Sequence, residues 1–300
     1  MIQSPETPRK GTLAVTGASG LLGRHLCDHF RRRGWEVRGL VRDPDAYPFS
    51  EAGVSLFRCN LPETLDEAAL EEAEVLIHCA YTTRFAGLEQ ARRVNEEGTR
   101  RVLAAARAAK VRRFVFISSI SAHPGAHSYY GRSKYALEGE LDPARDLVLR
   151  PGLVLAADGG LFHRMRETVR RLRLIPLFGG GTQVIQTVHI EDLCEATERA
   201  LALELTGALT LAEPEGVTMR DLLRLTAERL GRRRAVVPVP AAPVLLALRL
   251  IEALRIPFPI SSENLLGLTG LRHTPSSADL ERLGMRLRSA RESLAAISGD

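Results

Sequence analysis

A tyrosine and a lysine four residues apart are the side chains best placed to do chemistry in this sequence. Tyr130 and Lys134 stand in the stretch YGRSK, and on a helix this spacing puts both on one face. A tyrosine phenol has a pKa of about 10 in water, so it exchanges protons near neutral pH only beside a cation. Because Lys134 is one of only three lysines among 41 basic residues, the pair favours a tyrosine acid/base over a packed tyrosine beside a solvated lysine.

Two serines follow a short apolar run and could hold a substrate oxygen beside that phenol. Ser118 and Ser119 come directly after Arg113–Ile117. In an open parallel sheet, ligands bind outside the carboxyl ends of the strands, which is where these hydroxyls would lie. The two serines are therefore candidates for orienting a substrate carbonyl or carbinol.

Three glycines spaced G-x-x-G-x-x-G follow the first apolar run. That run, Thr12–Thr16, leads into TGASGLLG and then into a helical pattern. Glycine lets the backbone approach a pyrophosphate closely, and a helix N-terminus offers free N–H groups and a positive dipole end. The stretch therefore predicts a dinucleotide site rather than an incidental flexible turn. Its predicted contacts are Gly17, Ser19, Gly20, Leu21, Leu22 and Gly23.

The end of the second apolar run bears on the choice of dinucleotide. Arg42 and Asp43 follow Glu36–Val41. An acidic residue there would bind the ribose 2′-hydroxyl of NAD, whereas an arginine favours the 2′-phosphate of NADP. Because Arg42 comes first, we expect NADP in preference to NAD. The alternative is that Arg42 is only a solvated charge.

Short apolar runs alternate with helical patterns through the first half of the chain. Continuous apolar strands of this kind predict a doubly wound α/β fold with a parallel sheet covered on both faces. We expect a flexible tail at 1–11, a dinucleotide-binding domain at 12–155 and a smaller, mostly helical substrate lobe at 156–300. One or two segments near 184–212 should return to the first domain. The predicted runs and helices are Thr12–Thr16, Leu21–Arg33, Glu36–Val41, Val54–Phe57, Val75–Cys79, Leu88–Ala109, Arg113–Ile117, Tyr130–Leu141, Leu147–Leu149 and Met165–Arg173.

The apolar stretch Ala235–Leu248 is interrupted by three prolines and followed by Arg249, Glu252 and Arg255. It is too short and too broken to span a bilayer. We expect a buried helix here rather than a partner-facing or membrane-surface segment.

Composition excludes several classes of protein. With 45% apolar and 26% charged residues, the chain is neither disordered nor a disulfide scaffold. The net charge of +5 is dispersed, which argues against nucleic acid as a partner. Four widely spaced cysteines and an N-terminus without an apolar segment indicate a cytoplasmic protein with reduced thiols, and no metal-ligand spacing is present.

These motifs occur in the order typical of a known superfamily. The chain resembles the short-chain dehydrogenase/reductases in five segments: TGASGLLG, NEEGT, the strand FVFISS, YGRSK and LRPG. The later GGGTQVIQTVHIEDL resembles the extended branch, the NAD-dependent epimerase/dehydratase type. The resemblance spans roughly residues 12–200 and implies a Rossmann-type domain that binds NADP or NAD.

The resemblance also implies roles for individual residues. Tyr130 would be the catalytic acid/base, with Lys134 holding the nicotinamide ribose and lowering the pKa of the phenol. Ser119 would orient the substrate, with Ser121 as the fallback, and Asn95 matches the asparagine of the catalytic group. The implied cofactor contacts beyond the glycine loop and Arg42 are Asn60 and Leu61 at the adenine, Cys79, Ala80 and Tyr81 along the cofactor, and Pro151, Gly152 and Val154 near the nicotinamide.

The chain departs from the extended branch at three places. The interval from Ser119 to Tyr130 is short, and LVLAADGG lacks the usual aromatic–glycine pair. The branch often has an arginine, used on a nucleotide diphosphate, where this chain has Ile185. These departures count against a nucleotide-sugar substrate but not against the predicted fold. Candidates for the pocket by position alone are Thr82, Thr83, Arg84, Ser121, His123, Gln183 and Gln186.

The sequence predicts an NAD(P)-dependent enzyme of the epimerase/dehydratase type, which moves hydride at a carbinol or carbonyl carbon of a sugar or nucleotide-sugar-like small molecule. One alternative is an NADPH-dependent carbonyl reductase of a non-nucleotide substrate, favoured by Arg42 and by the missing arginine. Another is a non-catalytic NADP-binding sensor, which the presence of Tyr130 and Lys134 disfavours. We expect no membrane partner, and a homodimer could form through an apolar helix face at Arg92–Arg107 or Leu137–Leu141.

Overall fold

A computed structural model describes residues 10–46, 53–83, 87–254, 263, 266–267 and 270–297. Most of the predicted flexible tail, residues 1–9, lies outside the described residues. The strands are β1 (Thr12–Thr16), β2 (Glu36–Val41), β3 (Ser55–Asn60), β4 (Thr64–Leu65), β5 (Val75–His78), β6 (Arg113–Ile117), β7 (Leu147–Pro151), β8 (Leu153–Leu155), β9 (Leu174–Phe178), β10 (Val184–Ile185), β11 (Thr187–His189), β12 (Gly207–Leu211), β13 (Val217–Thr218) and β14 (Ala235–Val239).

Ten α-helices alternate with these strands in the described part of the chain. They are α1 (Leu21–Arg32), α2 (Leu88–Arg92), α3 (Gly98–Ala108), α4 (Tyr129–Glu138), α5 (Gly160–Arg171), α6 (Ile190–Ala202), α7 (Met219–Arg229), α8 (Ala241–Ala253), α9 (Ser277–Arg282) and α10 (Ala290–Ala296). The end of α1 follows the sequence pattern, because Gly34 adopts φ +85°, the left-handed conformation that terminates helices.

Eight strands form the main sheet in the order β12-β7-β6-β5-β1-β2-β3-β4. The pairings of β1 with β2 and β5, of β2 with β3, and of β5 with β6 are parallel, whereas β4 pairs antiparallel with β3. The predicted doubly wound α/β class is confirmed. The strand order reverses between β1 and β5, and such a switch point is where open α/β sheets bind ligands.

The chain divides into two compact units. One comprises 1–117, 137–148 and 197–208, and the other comprises 118–136, 149–196 and 209–300. In the first, a core of buried aliphatic side chains surrounds Phe114 and Phe116. In the second, Phe162 and Val169 of α5 pack with Leu222 of α7 and Leu294 of α10.

The second unit is not helical alone, because it also carries three two-stranded sheets. β10 pairs antiparallel with β13, while β11 with β8 and β14 with β9 are parallel pairs.

The cysteines Cys27, Cys59, Cys79 and Cys194 are all free thiols, and burial raises the pKa of Cys27 to about 12. None of the described helices is long and apolar enough to cross a bilayer.

Two predicted helices differ from the structure. The pattern over Leu88–Ala109 predicts one helix, but a π-helical segment at Arg93–Glu97 separates α2 from α3. The stretch Ala235–Leu248 is not a buried helix either: its first part is strand β14, and α8 exposes several leucines. Pro238 and Pro240 explain the strand, because proline disfavours a helix interior and also the helical conformation of the residue before it.

Candidate functional site

The glycine loop between β1 and α1 has no room for side chains at two of its glycines. A Cβ on Gly17, which has φ +66°, would lie 2.8 Å from the backbone nitrogen of Ala80. A Cβ on Gly23 would lie 2.2 Å from the carbonyl oxygen of Gly17. Gly17 and Gly23 are therefore needed for close backbone packing rather than being incidental.

The N-terminus of α1 is open to an anion. Gly20 is its N-cap, no side chain caps the helix, and the first turn carries no acidic residue. The first N–H groups of a helix have no partner within the helix, and the dipole there favours negative charge. Backbone groups of Leu21, Leu22 and Gly23 are thus available for a pyrophosphate, which fits a dinucleotide.

The chain after β5 lies against the glycine loop. The Cys79 N–H donates to the Thr16 carbonyl at 3.2 Å, and the Ala80 N–H donates to Thr16 Oγ1 at 3.2 Å. Both contacts lie at the switch point between β1 and β5. The predicted neighbours Cys79, Ala80 and Tyr81 are therefore brought beside Gly17, and all three are partly exposed.

A buried chain of polar side chains supports this loop, and the sequence analysis did not find it. Thr16 Oγ1 lies 2.7 Å from His78 Nδ1, and His78 Nε2 lies 3.0 Å from Thr99 Oγ1. Thr99 in turn donates to the carbonyl oxygen of Asn95 at 2.5 Å. The partners are distant in the sequence, and the only local signal was a histidine ending an apolar strand.

Asn95 positions the backbone that follows β5. Its side chain is fully buried, its Oδ1 accepts from the Thr82 N–H at 2.7 Å, and its Nδ2 donates to the Thr82 carbonyl at 3.0 Å. Its amide is thus engaged with backbone on both sides. The catalytic role that the resemblance implies for Asn95 stays a prediction, and Arg84 lies outside the described residues.

The second-strand residues differ in their partners. Arg42 and Asp43 are both exposed after β2, but the Asp43 carboxylate lies 3.6 Å from the guanidinium of Arg58. No ion pair of the described residues involves Arg42. Asp43 is therefore occupied by a cation, whereas Arg42 is available to a phosphate.

The predicted adenine-pocket residues lie at the end of β3. Asn60 is exposed there, while Leu61 is buried in the core of the first unit. The Cβ of Leu61 approaches Gly98 so closely that a Cβ on Gly98 would lie 2.8 Å from it. Gly98 thus allows the start of α3 to pack against this loop.

In the second unit, Tyr130 and Ser119 are joined by a side-chain hydrogen bond. Ser119 is buried, and its Oγ also accepts from the Ser121 N–H at 3.1 Å. The Ser118 N–H donates to the Leu149 carbonyl at 2.7 Å, which fixes the backbone before Ser119. The structure therefore brings together the tyrosine and the preferred serine, rather than the fallback Ser121.

Helix α4 is held closely against the loop that precedes it. A Cβ on Gly131 would lie 2.4 Å from the Ser121 carbonyl oxygen, so glycine is required there. Ser128 Oγ accepts from the Gly131 N–H at 3.2 Å. Lys134 is buried, one turn after Tyr130 on this helix. The predicted pair thus lies on one face of α4, with Lys134 buried and Tyr130 partly exposed.

Two effects on the Tyr130 phenol oppose one another. Burial raises the pKa of Tyr130, and the hydrogen bond with Ser119 lowers it, with burial the larger effect. The phenol is therefore held in its protonated form at neutral pH. That Lys134 lowers this pKa stays a prediction.

The residues predicted near the nicotinamide follow β7. A Cβ on Gly152 would lie 2.4 Å from the Gln186 carbonyl oxygen, and the Pro151 carbonyl accepts from the Ile120 N–H at 3.1 Å. Val154 pairs with Val188 in the β8–β11 sheet. These contacts hold Pro151 and Gly152 beside the loop that carries Ser119.

Two neighbouring residues, Ile185 and Gln186, bear on which substrate the second unit could bind. Ile185 is buried in the core of the second unit, so this position cannot present a charge to a diphosphate. Gln186 is also buried: its Nε2 donates to the carbonyls of Glu213 and Thr274, and its Oε1 accepts from the Thr274 N–H. Gln186 is thus committed to backbone rather than to a pocket.

Comparison with known proteins identifies the family and the fold. The profile of the NAD dependent epimerase/dehydratase family matches residues 13–208. The ceramide reductase of Caulobacter vibrioides is 33% identical over 261 residues, which cover 82% of this chain and 79% of that protein. The 4-hydroxy-2-methyl-3-oxo-4-farnesyl-3,4-dihydroquinoline-1-oxide ketoreductase of Stigmatella aurantiaca is 29% identical, covering 80% and 79%. MoeE5 in complex with UDP-glucuronic acid and NAD has a TM-score of 0.74 at 21% identity, covering 96% and 97%.

Proposed function

Because the chain belongs to the NAD-dependent epimerase/dehydratase family, we propose that it is an NADPH-dependent reductase of a carbonyl group on an apolar, long-chain molecule, with Tyr130 as the proton donor. The observation that carries the proposal is the partly exposed Tyr130, whose phenol is hydrogen-bonded to the buried Ser119 and has a pKa raised by desolvation. Reduction of a carbonyl requires a proton for the developing alkoxide, and a phenol whose pKa is raised by burial is in the form that can supply one.

Each residue has a distinct part in this reaction. When bound, the reduced nicotinamide supplies the hydride. The Ser119 hydroxyl orients the substrate oxygen, and Tyr130 donates its proton to that oxygen. Lys134 then stabilises the phenolate that remains. Gly17, with the N-terminus of α1, accommodates the pyrophosphate by backbone groups alone.

The preference for NADPH over NADH follows from the end of β2. Arg42 has no ion pair with a described acid, while Asp43 is engaged by Arg58. A guanidinium binds a phosphate with paired, charge-assisted hydrogen bonds. The arrangement supports a contact with the 2′-phosphate and removes the carboxylate that would select the unphosphorylated ribose.

The proposed substrate class rests on the residue at position 185 and on the names of two relatives. Ile185 is buried where the extended branch often places a diphosphate-binding arginine, which disfavours a nucleotide-sugar. The relatives from Caulobacter and Stigmatella are named as reductases of a ceramide and of a farnesylated quinoline, both molecules with long apolar chains. These observations together support a carbonyl on a lipid-like substrate.

The test is NADPH consumption by the purified protein with long-chain ketones and 3-ketosphingoid compounds. Tyr130→Phe should lower kcat roughly 100- to 10,000-fold while leaving the Kd for NADPH unchanged, because the phenol oxygen is the only atom removed. Tyr135→Phe is the matched control, since Tyr135 lies on the same helix with an exposed ring. Unchanged turnover in Tyr130→Phe would reject the proton-donor role.

A sugar epimerase is the second candidate, supported by the likeness of the fold to MoeE5 with its bound UDP-glucuronic acid. An epimerase returns the hydride to its substrate and recycles tightly held NAD, whereas a reductase consumes NADPH. Mass spectrometry of the natively purified protein separates the two. Retained NAD, with no net NADPH oxidation, would favour the epimerase.

A further inference from the structure

The small sheet formed by β9 and β14 has one face in the protein core and one face in solvent. Ile175 and Leu177 of β9 are buried, whereas Leu174 and Pro176 alternate with them and are exposed, Leu174 to 62%. The parallel register places Leu174 beside Ala235 and Pro176 beside Val237, which are exposed as well. Because side chains alternate across a strand, these residues form one exposed face that is wholly apolar.

Helix α8 follows β14 after a single residue, Pro240, and exposes a stripe of leucines. Leu246, Leu250 and Leu254 are 62%, 57% and 70% exposed. They stand four residues apart and share one side of the helix, while Leu248 on the other side is buried. Isolated exposed leucines are normal on protein surfaces, but three on one side of a helix that directly follows an exposed apolar strand mark an interaction surface.

The surroundings of these residues are basic. No acidic residue occurs between residues 168 and 190 or between 231 and 251, the two segments that supply β9, β14 and most of α8. Both segments carry exposed arginines. Four of these arginines form no ion pair with a described acid: Arg173, Arg232, Arg233 and Arg249.

Arginines elsewhere in the protein behave differently. Arg33 pairs with Glu198 at 2.8 Å, and Arg100 pairs with Glu140 at 2.7 Å. Arg249, in contrast, stands at the edge of the leucine stripe, three residues after Leu246 and three before Glu252, and forms no ion pair with a described acid. The arginines without a described acid as partner thus stand in the chain directly before β9 and β14 and within α8, the elements that carry the exposed apolar side chains.

We propose that this docking surface, formed by β9, β14 and the Leu246–Leu254 stripe of α8, binds the interface of an anionic lipid bilayer. Apolar side chains would enter the acyl boundary while the arginines meet lipid phosphates, the arrangement of interfacial rather than spanning segments. A second copy of this chain would bring like charges together, and a nucleic acid would leave the leucines in water. The bilayer satisfies both features.

The docking surface is independent of the reaction, although it would bring a lipid substrate to the enzyme. Its test needs neither substrate nor cofactor: the full chain is sedimented with vesicles of phosphatidylglycerol and phosphatidylcholine, and with vesicles of phosphatidylcholine alone. The protein should bind the anionic vesicles at least about tenfold more tightly, and raising the salt from roughly 0.1 M to 0.5 M should weaken that binding.

Two double variants separate the apolar and charged contributions. Arg232→Gln/Arg233→Gln should lower the affinity for anionic vesicles about 25-fold, at about fivefold for each arginine. Leu246→Gln/Leu250→Gln should lower it at least about tenfold. The matched controls are Arg32→Gln/Arg112→Gln and Leu161→Gln/Leu203→Gln, which remove exposed arginines and leucines elsewhere and should bind as the wild type does.

Folding is checked in every variant by circular dichroism and thermal melting. Absence of binding by the wild type would overturn the proposal, as would equal losses in the control variants. Light scattering adds a third decisive outcome: a stable dimer that Leu246→Gln/Leu250→Gln dissociates would show that a second copy covers this surface. Binding to duplex DNA more tightly than to anionic vesicles would also overturn it.

Discussion

The switch point between β1 and β5 and the docking surface of β9, β14 and α8 are built in opposite ways. At the switch point, His78 lies between Thr16 and Thr99 in a buried chain of hydrogen bonds. In the docking surface, leucines face solvent and the exposed arginines have no described acid as partner. The side chains that support the first region are hydrogen-bonded within the protein, whereas the apolar and charged side chains of the second have no described partner.

This difference separates two demands that function makes on a structure. Holding a cofactor requires fixed backbone, so the polar groups beside it are satisfied internally and the glycines leave no spare volume. Meeting a large external surface requires groups left unsatisfied until the partner arrives. Substitutions in the first region should therefore affect stability and cofactor binding, and those in the second should affect neither.

The largest effect should come from Gly23→Ala. The added Cβ would lie 2.2 Å from the Gly17 carbonyl oxygen, so the loop must move away from its present conformation. We expect at least a 100-fold loss in affinity for NADPH by fluorescence titration, and a free energy of unfolding lower by about 3 kcal/mol. Gly87→Ala is the control, because no atom of the described residues lies within 4 Å of its Cβ position. Equal affinity in the two variants would contradict the close-packing argument.

The next effect contrasts two faces of α8. Leu248→Ala removes a buried side chain and should lower the free energy of unfolding by about 2–4 kcal/mol in urea titrations. Leu250→Ala, two residues away on the exposed side, should change it by less than about 0.5 kcal/mol. If Leu250→Ala were as costly as Leu248→Ala, the stripe would be part of the core and the comparison would fail.

A smaller loss is expected for His78→Leu. The leucine fills similar space but removes the hydrogen bonds that His78 makes with the hydroxyls of Thr16 and Thr99, which costs about 1–3 kcal/mol for buried polar groups. Combining His78→Leu with Thr99→Val also removes the Thr99 hydroxyl that had lost its bond with His78. The double variant should therefore be more stable than the sum of the single losses predicts, in the same urea titrations. Strict additivity would show that no network exists.

The smallest effect concerns cofactor choice. Arg42→Ala should lower the kcat/KM ratio of NADPH to NADH by about tenfold, because one charge-assisted contact is removed from an exposed site. Arg58→Ala releases Asp43 and should improve kcat/KM for NADH by a few-fold. An unchanged ratio in Arg42→Ala would remove the support for NADPH.

The features predicted from the sequence are those set by neighbouring residues. The glycine loop, the Tyr130–Lys134 spacing and the alternation that specifies the doubly wound sheet are all local patterns. The bond between Tyr130 and Ser119 was foreseeable, because a strand end and the next helix must meet in this fold. The placement of a substrate lobe at 156–300 remains a prediction.

Features that depend on distant parts of the chain could not be predicted in this way. Thr16 and His78 are far apart in sequence, so their pairing appears only once β1 and β5 are adjacent. The exposure of Leu246 and Leu250 was missed for a related reason: an apolar helix looks the same in sequence whether or not another element covers it. Whether an apolar side chain is buried depends on the element that packs against it, which the local sequence does not specify.

Gln186 also bears on how the chain could be divided. Its side chain bonds to backbone at Glu213 and Thr274, and Arg229 of α7 donates to carbonyls near the C-terminus, at Leu294 and Ile297. These bonds tie the chain from Thr274 onwards to the rest of the second unit independently of the peptide connection between α8 and Thr274. A break in that connection would thus leave two pieces that still recognise one another, so the protein is a natural candidate for a split reporter.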